Sequence, residues 1–385
     1  VKSAVSESRF ALKTISQEQS ADQSMSSIPT LSHRPSPDSL SPATSRSAPF
    51  RSLFAAAIAV LLAFALAGIL ILASGKNPLV AYWALIRGAF GSVDSVTFAL
   101  NKSTPYILAG VGIAICFRAR VINIGSEGQI AVGGIAASWI ALNAPGLPSI
   151  ILIPLAITGG AISGAAWASI AAVMRLRRGV HEVLGTLLSN FVGVLLVSEV
   201  LHGTMGEPGA GFPQSPLFPE GARLPPLVEG SDLHCGILLA LLAVVACHLW
   251  LWHTPSGFRI RLLGSSDKAA AYAGVSVART ILAVMGIAGS LSGIAGAVEV
   301  LGVHYRLIQG FSQGFGFNAV AVALLAALNP IAVLPAGLFF GFLEAGALAM
   351  QREVGVQSSL VYVIQGLTMV LVLCALAMNS KQQRV

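Results

Sequence analysis

Residues 53–73 read LFAAAIAVLLAFALAGILILA, 21 residues without a charge, and apolar runs of this kind recur to residue 378. A run of about 20 apolar residues matches the roughly 30 Å hydrocarbon core of a bilayer. Inside that core every backbone N–H and C=O needs a partner within the protein, so such runs are helices. The pattern predicts spans at 53–73, 104–117, 128–142, 150–174, 182–201, 233–252, 279–301, 316–328, 331–349 and 359–378. The fold class expected is all-α: a polytopic membrane protein of about ten transmembrane helices. Only 10% of the 385 residues are charged, against roughly 25% in a soluble domain. An even number of spans puts both termini on one side. With the N-terminus inside, Lys and Arg number eleven in the interior connections and tail against six in the exterior ones, which places both ends in the cytoplasm. The formal charge of +7 is scattered beside apolar runs and forms no basic face, so nucleic acid is not an expected partner; the lipid bilayer is.

Three regions follow: 1–52, the transmembrane domain 53–378 and the short cytoplasmic tail 379–385. The first holds 15 serines and several prolines with no sustained apolar period, a composition that buries too little surface to offset its ordering entropy. It is read as a disordered cytoplasmic tail. The first methionine is Met25, an alternative start for the reading frame.

Two predicted helices, 104–117 and 316–328, are too short to span comfortably at about 1.5 Å per residue. Each opens on a helix-compatible signal, Thr104-Pro105 and Gly316-Phe317-Asn318, and each ends at a polar break, Asn123 to Gln129 and Asn329-Pro330. Short or interrupted segments in corresponding halves point to an internal repeat and a transport pathway; re-entrant packing without substrate contact is the plainer alternative. GGAISGAAWASIAA (159–172) and GIAGSLSGIAGA (286–297) space small residues for close helix packing.

No GxxxxGK[ST] loop, nucleophile elbow, HExxH or paired-carboxylate constellation is present, so the chain is not expected to be an enzyme. Cys116, Cys235, Cys247 and Cys374 lack metal or disulfide spacing and read as packing residues. His248 and His253, five residues apart, do not share a helical face. Polar groups do interrupt the spans: the segment INIGSEGQIAVGG (122–134) and then Asn190, Glu299, Asn318, Glu344 and Gln365. Side chains of this kind are costly in lipid and belong in the protein interior. Singly each is as well explained by interhelical hydrogen bonding; together they suggest a polar path through Asn123, Glu127, Gln129, Asn190, Glu299, Asn318 and Gln365.

The basic connection 253–278 contains a short predicted helix from Ser266, which can cap it, with Asp267 at its positive end. Ala269, Ala270, Ala271 and Ala273 give it a small-residue surface suited to a groove on another protein, and Gly274 ends it.

The stretches NIGSEGQ, GFRIRLLGSSDKAAAYAGV, SGIAGAVEVLGVHYRL, GFSQGFGFNAVAVALLAALNP and VIQGL, in this order, resemble the permease subunits of bacterial ABC importers for nucleosides and simple sugars. The resemblance covers roughly residues 75–375. It implies a plasma (inner) membrane protein working as a heterodimer with a second homologous permease. It further implies an ABC ATPase subunit that consumes the ATP, an extracytoplasmic substrate-binding lipoprotein, and no cofactor on this chain. By the same analogy, Gly264, Ser266, Asp267, Ala269, Ala270, Tyr272 and Gly274 form the ATPase coupling segment, and the NIGxEGQ motif marks the nucleoside branch rather than the ribose branch. Ser266-Asp267 stands where the family usually has Asn-Pro, Gln313 where it has Pro, and Asn318 where an acid is common. A ribose- or galactose-type permease and an ion-coupled secondary transporter are the alternatives; the latter would carry acid or His relays deep in several spans.

Overall fold

In the computed structural model the described residues are 48–371, apart from 229, 358, 361, 365, 368 and 369. Most of the Ser-rich tail, the tail 379–385, Gln365 and the end of the last predicted span therefore lie outside them. Among the described residues every regular element is helical, and the extended chain makes only isolated bridges. The helices are α1 (Ala48–Ala73), α2 (Pro78–Phe90), α3 (Val93–Arg118), α4 (Ser126–Asn143), α5 (Ser149–Arg178), α6 (Glu182–His202), α7 (Gly236–His253), α8 (Pro255–Ser265), α9 (Asp267–Tyr272), α10 (Val277–Glu299, continued by a π turn to His304), α11 (Phe315–Leu325) and α12 (Pro330–Val354). Six of them, α3, α5, α6, α7, α10 with its π turn, and α12, are long and apolar enough to cross a membrane. Shorter apolar helices accompany them. The described residues between 359 and 371 are helical as well.

The predicted short helix 104–117 is corrected by the structure: α3 has 26 residues and begins at Val93. Ser92 caps it, accepting from the Ser95 amide at 3.0 Å, and Asp94 occupies its first turn. Pro105 sits inside the helix rather than at its start. Ser103 and Thr104 turn their hydroxyls onto the carbonyls of Ala99 and Leu100. The polar residues Asn101 to Ser103, which looked like a connection, are instead buried with the rest of α3 through Cys116. In the first half the helix that starts at the polar break is α4. Helix α2 was not anticipated, because its 13 residues are too few to span, although Asn77 caps it and Pro78 opens it.

Helix α3 is the axis of the core, packed by α7, α10, α11 and α12, while α4, α5 and α10 form a second tight group. Glycine permits that group: a Cβ at Gly293 of α10 would collide with the Gly160 carbonyl of α5. Helices α1, α2 and α12 share a separate apolar cluster around Ile71, Leu85 and Met350. The outward sides of α5, α6 and α7 carry Ile162, Leu188, Leu195 and Leu242, exposed as a lipid-facing surface requires.

The long connection after α6 is not a free loop. Its extended stretch lies along residues 301–309, with the Ser215 amide donating to the Leu307 carbonyl (2.8 Å), Phe218 to Tyr305 (2.8 Å) and Leu224 to Leu301 (3.0 Å). Glu207 meets Arg306 at 3.2 Å. These contacts hold in place the segment between α10 and α11.

Candidate functional site

Two non-helical segments, 119–125 and 305–314, lead into α4 and α11. Helix α11, with 11 residues, is only about 16 Å long, short of the roughly 30 Å that a spanning helix covers. Irregular backbone buried beside it has to be satisfied by the protein itself. In the first segment side chains supply the partners. Asn123 Oδ1 accepts from the Gly125 amide (2.9 Å) and from Gln129 Nε2 (3.2 Å). Asn190 of α6 donates to the Ile124 carbonyl (2.7 Å) and accepts from the Gly128 amide (2.8 Å), and the Thr186 hydroxyl accepts from the Ile124 amide (3.3 Å). Asn123, Gln129 and Asn190 are all buried and all engaged.

Glu127 joins this segment to the other. Its Oε1 accepts from the Ser312 hydroxyl (2.6 Å) and the Gly314 amide (3.1 Å), and its Oε2 from the Gly316 amide (2.7 Å). Helix α11 has Gly314 as its N-cap and no capping side chain of its own. A carboxylate from the first turn of α4 takes that place, where the positive end of the helix favours an anion. The starts of the two helices touch, because Gly316 lies so close to the Glu127 backbone that a Cβ there would clash. NIGSEGQ thus cross-caps a helix about 190 residues further on, a pairing the sequence spacing does not reveal.

A second polar cluster centres on Lys102, buried in α3. Its ammonium lies 3.9 Å from Glu299 and 3.8 Å from Glu344, and donates to Gln313 Oε1 at 3.1 Å. It also sits 5.3 Å from the centroid of the Phe315 ring. The Tyr106 hydroxyl bonds Glu344, and Asn318 Nδ2 donates to the Tyr106 oxygen at 3.3 Å. His304 Nε2 is 3.5 Å from Glu299. One ammonium thus faces two carboxylates. The structure brings Asn123, Glu127, Gln129 and Asn190 into one group and Glu299 and Asn318 into this other one, the two being linked through residues 312–318. Sequence reasoning placed Lys102 in an exterior connection and passed over Tyr106 and His304. The four-residue spacing of Lys102 and Tyr106 on an apolar helix was the available signal.

The chain matches, over residues 95–373, the family described as branched-chain amino acid transport system / permease component. It belongs to that permease family. Relatives include the glucose ABC transporter permease protein TsgB13 of Haloferax volcanii, 36% identical over 320 residues (80% of this chain, 84% of the relative). The guanosine ABC transporter permease protein NupP of Bacillus subtilis is 36% identical over 312 residues (80% and 89%). The nucleoside ABC transporter permease protein NupB of Lactococcus lactis is 31% identical over 323 residues (82% and 88%). Each of these organisms holds a second, more distant permease relative as well. The protein is a membrane-embedded permease subunit of an ABC transporter and not itself the ATP-hydrolysing enzyme, which sets aside the ion-coupled carrier.

Helices α8 and α9 follow α7 directly. Ser266 caps α9, accepting from the Ala269 amide at 3.3 Å, and Gly274 follows the helix with a left-handed φ of 74°. Ala270 is buried against its own chain, so the small-residue face expected to be presented outward is in part an inner face. Asp267, Lys268, Ala269, Ala271 and Tyr272 are the exposed ones, Tyr272 by 93%. Gly264 lets α8 press on the Arg118 carbonyl at the end of α3. Arg118 and Arg261 stack on the Trp252 ring at 5.4 and 4.9 Å from its centroid. The α8–α9 unit is therefore seated where segment 119–125 begins.

Proposed function

We propose that this permease carries nucleosides inward across a bacterial plasma membrane, with both termini cytoplasmic. It would do so as one half of a heterodimer with a second homologous permease, served by an ABC ATPase and an extracytoplasmic binding lipoprotein. The carrying observation is the meeting of α4 and α11 at Glu127. Two helices that start within the protein, one in each half of the chain, form the kind of joint around which transporter repeats rock. In this reading Asn123, Glu127, Gln129 and Asn190 brace the joint and stand behind the pathway wall. Lys102, Glu299, Glu344 and Asn318 set the charge of that wall. The exposed side of α9, with Tyr272, docks on the ATPase, and its push passes through α8 to Arg118 and segment 119–125. The guanosine and nucleoside relatives support the substrate class. The glucose relative at equal identity supports a second reading, a simple sugar.

The test is uptake by the complete complex in proteoliposomes with ATP, offered labelled guanosine and labelled glucose in parallel. Guanosine uptake competed by other nucleosides is the expected result. Uptake of glucose alone would replace the substrate class.

A further inference from the structure

We propose that the groove between α5 and α6 binds one anionic phospholipid, with an acyl chain lying against Trp167 and Leu188 and the phosphate held by Arg177 and Arg178. The groove has a volume of about 280 Å³, and its walls include Trp167, Ile170 and Met174 of α5 and Leu184, Leu188 and Val192 of α6. Its polar groups are spent inside the protein. The Trp167 indole donates to the Ser189 carbonyl (3.3 Å), and the Ser189 hydroxyl to the Thr186 carbonyl (2.7 Å). What remains open is apolar wall, which suits an acyl chain and offers nothing to a sugar or a base. An α-helix, about 10 Å across with its side chains, is too thick to enter, so a neighbouring protein helix would lie over the groove and not in it.

Positive charge closes one end of the groove. Trp167, Ile170, Ala171 and Met174 line it as one stripe of α5, and steps of three and four residues carry that stripe on to Arg177 and Arg178. Both are exposed, and among the described residues neither meets an acid within ion-pair distance. Arg175 differs, because Glu182 of α6 lies 3.0 Å from it. The turn between the helices is fixed. Gly179 ends α5 in a left-handed backbone (φ 67°), its amide donating to the Arg175 carbonyl at 3.0 Å and the Val180 amide to the Met174 carbonyl at 3.4 Å. Met174 and Val180, on either side of the two arginines in the chain, themselves line the groove, so both guanidinium groups stand at its mouth. Depth agrees with charge. Helix α5 has 30 residues, about 45 Å, against a hydrocarbon core of roughly 30 Å, so it extends beyond the core and its arginines mark an end at headgroup level. Basic side chains there attract anionic lipid, and a guanidinium matches a phosphate with paired hydrogen bonds. In the orientation proposed above this is the cytoplasmic leaflet, but the site depends neither on that orientation nor on the substrate class.

The experiment titrates the delipidated complete complex in detergent with dioleoyl phosphatidylglycerol or dioleoyl phosphatidylcholine and reads each bound lipid by native mass spectrometry. Wild type is compared with Arg177→Gln/Arg178→Gln, with Arg177→Lys/Arg178→Lys and with Leu188→Trp, which fills the groove. The expected result is one phosphatidylglycerol per complex bound about thirty-fold more tightly than phosphatidylcholine, a preference lost in the glutamine pair and kept in the lysine pair. Leu188→Trp should weaken both lipids with recovery of the complex unchanged, and inorganic phosphate should not displace the phosphatidylglycerol. A preference equal in wild type and the glutamine pair would overturn the site. Displacement by inorganic phosphate would overturn it as well, by making it a site for a free anion. Lipid binding untouched by Leu188→Trp would remove the acyl chain from the groove, and loss of the assembled complex in that variant would assign the groove to the second permease.

Discussion

Glu127→Ala removes the one side chain that, among the described residues, caps α11, and the cost follows from the partners it strands. The Ser312 hydroxyl and the Gly314 and Gly316 amides all donate to that carboxylate. A buried donor left without a partner costs roughly 1–3 kcal/mol, so three amount to roughly 3–9 kcal/mol. Losing an anion at a helix start adds about 0.3–2 kcal/mol. The sum rivals the roughly 5–15 kcal/mol that holds a typical fold together. Glu127→Gln is milder, because one oxygen remains to serve Ser312 and Gly314 while its amide nitrogen opposes the Gly316 N–H. That strands one donor at about 2 kcal/mol, which in a fold of more than 300 residues lowers the melting temperature by about 3 °C. The assay is recovery and thermal unfolding of the detergent-purified complex, measured beside uptake per complex. Glu127→Ala should yield little assembled protein, and Glu127→Gln a recoverable complex of lower melting temperature. A Glu127→Ala complex recovered in full, melting as wild type but unable to transport, would refute the bracing argument and make Glu127 a substrate contact.

Lys102→Met leaves Glu299 and Glu344 buried without their shared cation, at about 3–5 kcal/mol. Recovery should fall sharply and return in part when Glu344→Gln is added; no loss in the single variant would refute the charge pairing. Tyr272→Ala, at a side chain 93% exposed, should leave the permease folded and recovered yet lower transport-coupled ATP hydrolysis, and unaltered coupling would remove Tyr272 from the ATPase contact. For topology, in a cysteine-free background, Phe212→Cys should react with a membrane-impermeant thiol reagent in intact cells and Lys268→Cys should not. Both sites are exposed, so the reverse pattern would invert the orientation.

Much of this protein was legible in its sequence because the signals are local. Hydropathy marked α5, α6, α7 and α10 to within a few residues, since a bilayer leaves backbone no alternative to helix. Ser266 declared the cap of α9, and the conspicuous polar run in NIGSEGQ marked a real interruption. Local reading failed where a polar residue finds its partner across the fold. Asn101, Lys102 and Ser103 looked like a connection, yet they lie inside α3 because Glu299, Gln313 and Glu344 wait opposite Lys102. Ala270 belonged to a small-residue face, and only packing against its own chain turned it inward. Glu127 was legible as a buried acid but not as the cap of α11, because Ser312 and Gly316 are nearly 190 residues away. Sequence determined where the chain had to be helical and where it had to break. Tertiary structure decided which distant groups satisfy each break, because a buried donor or charge is stabilised by whatever stands beside it in space.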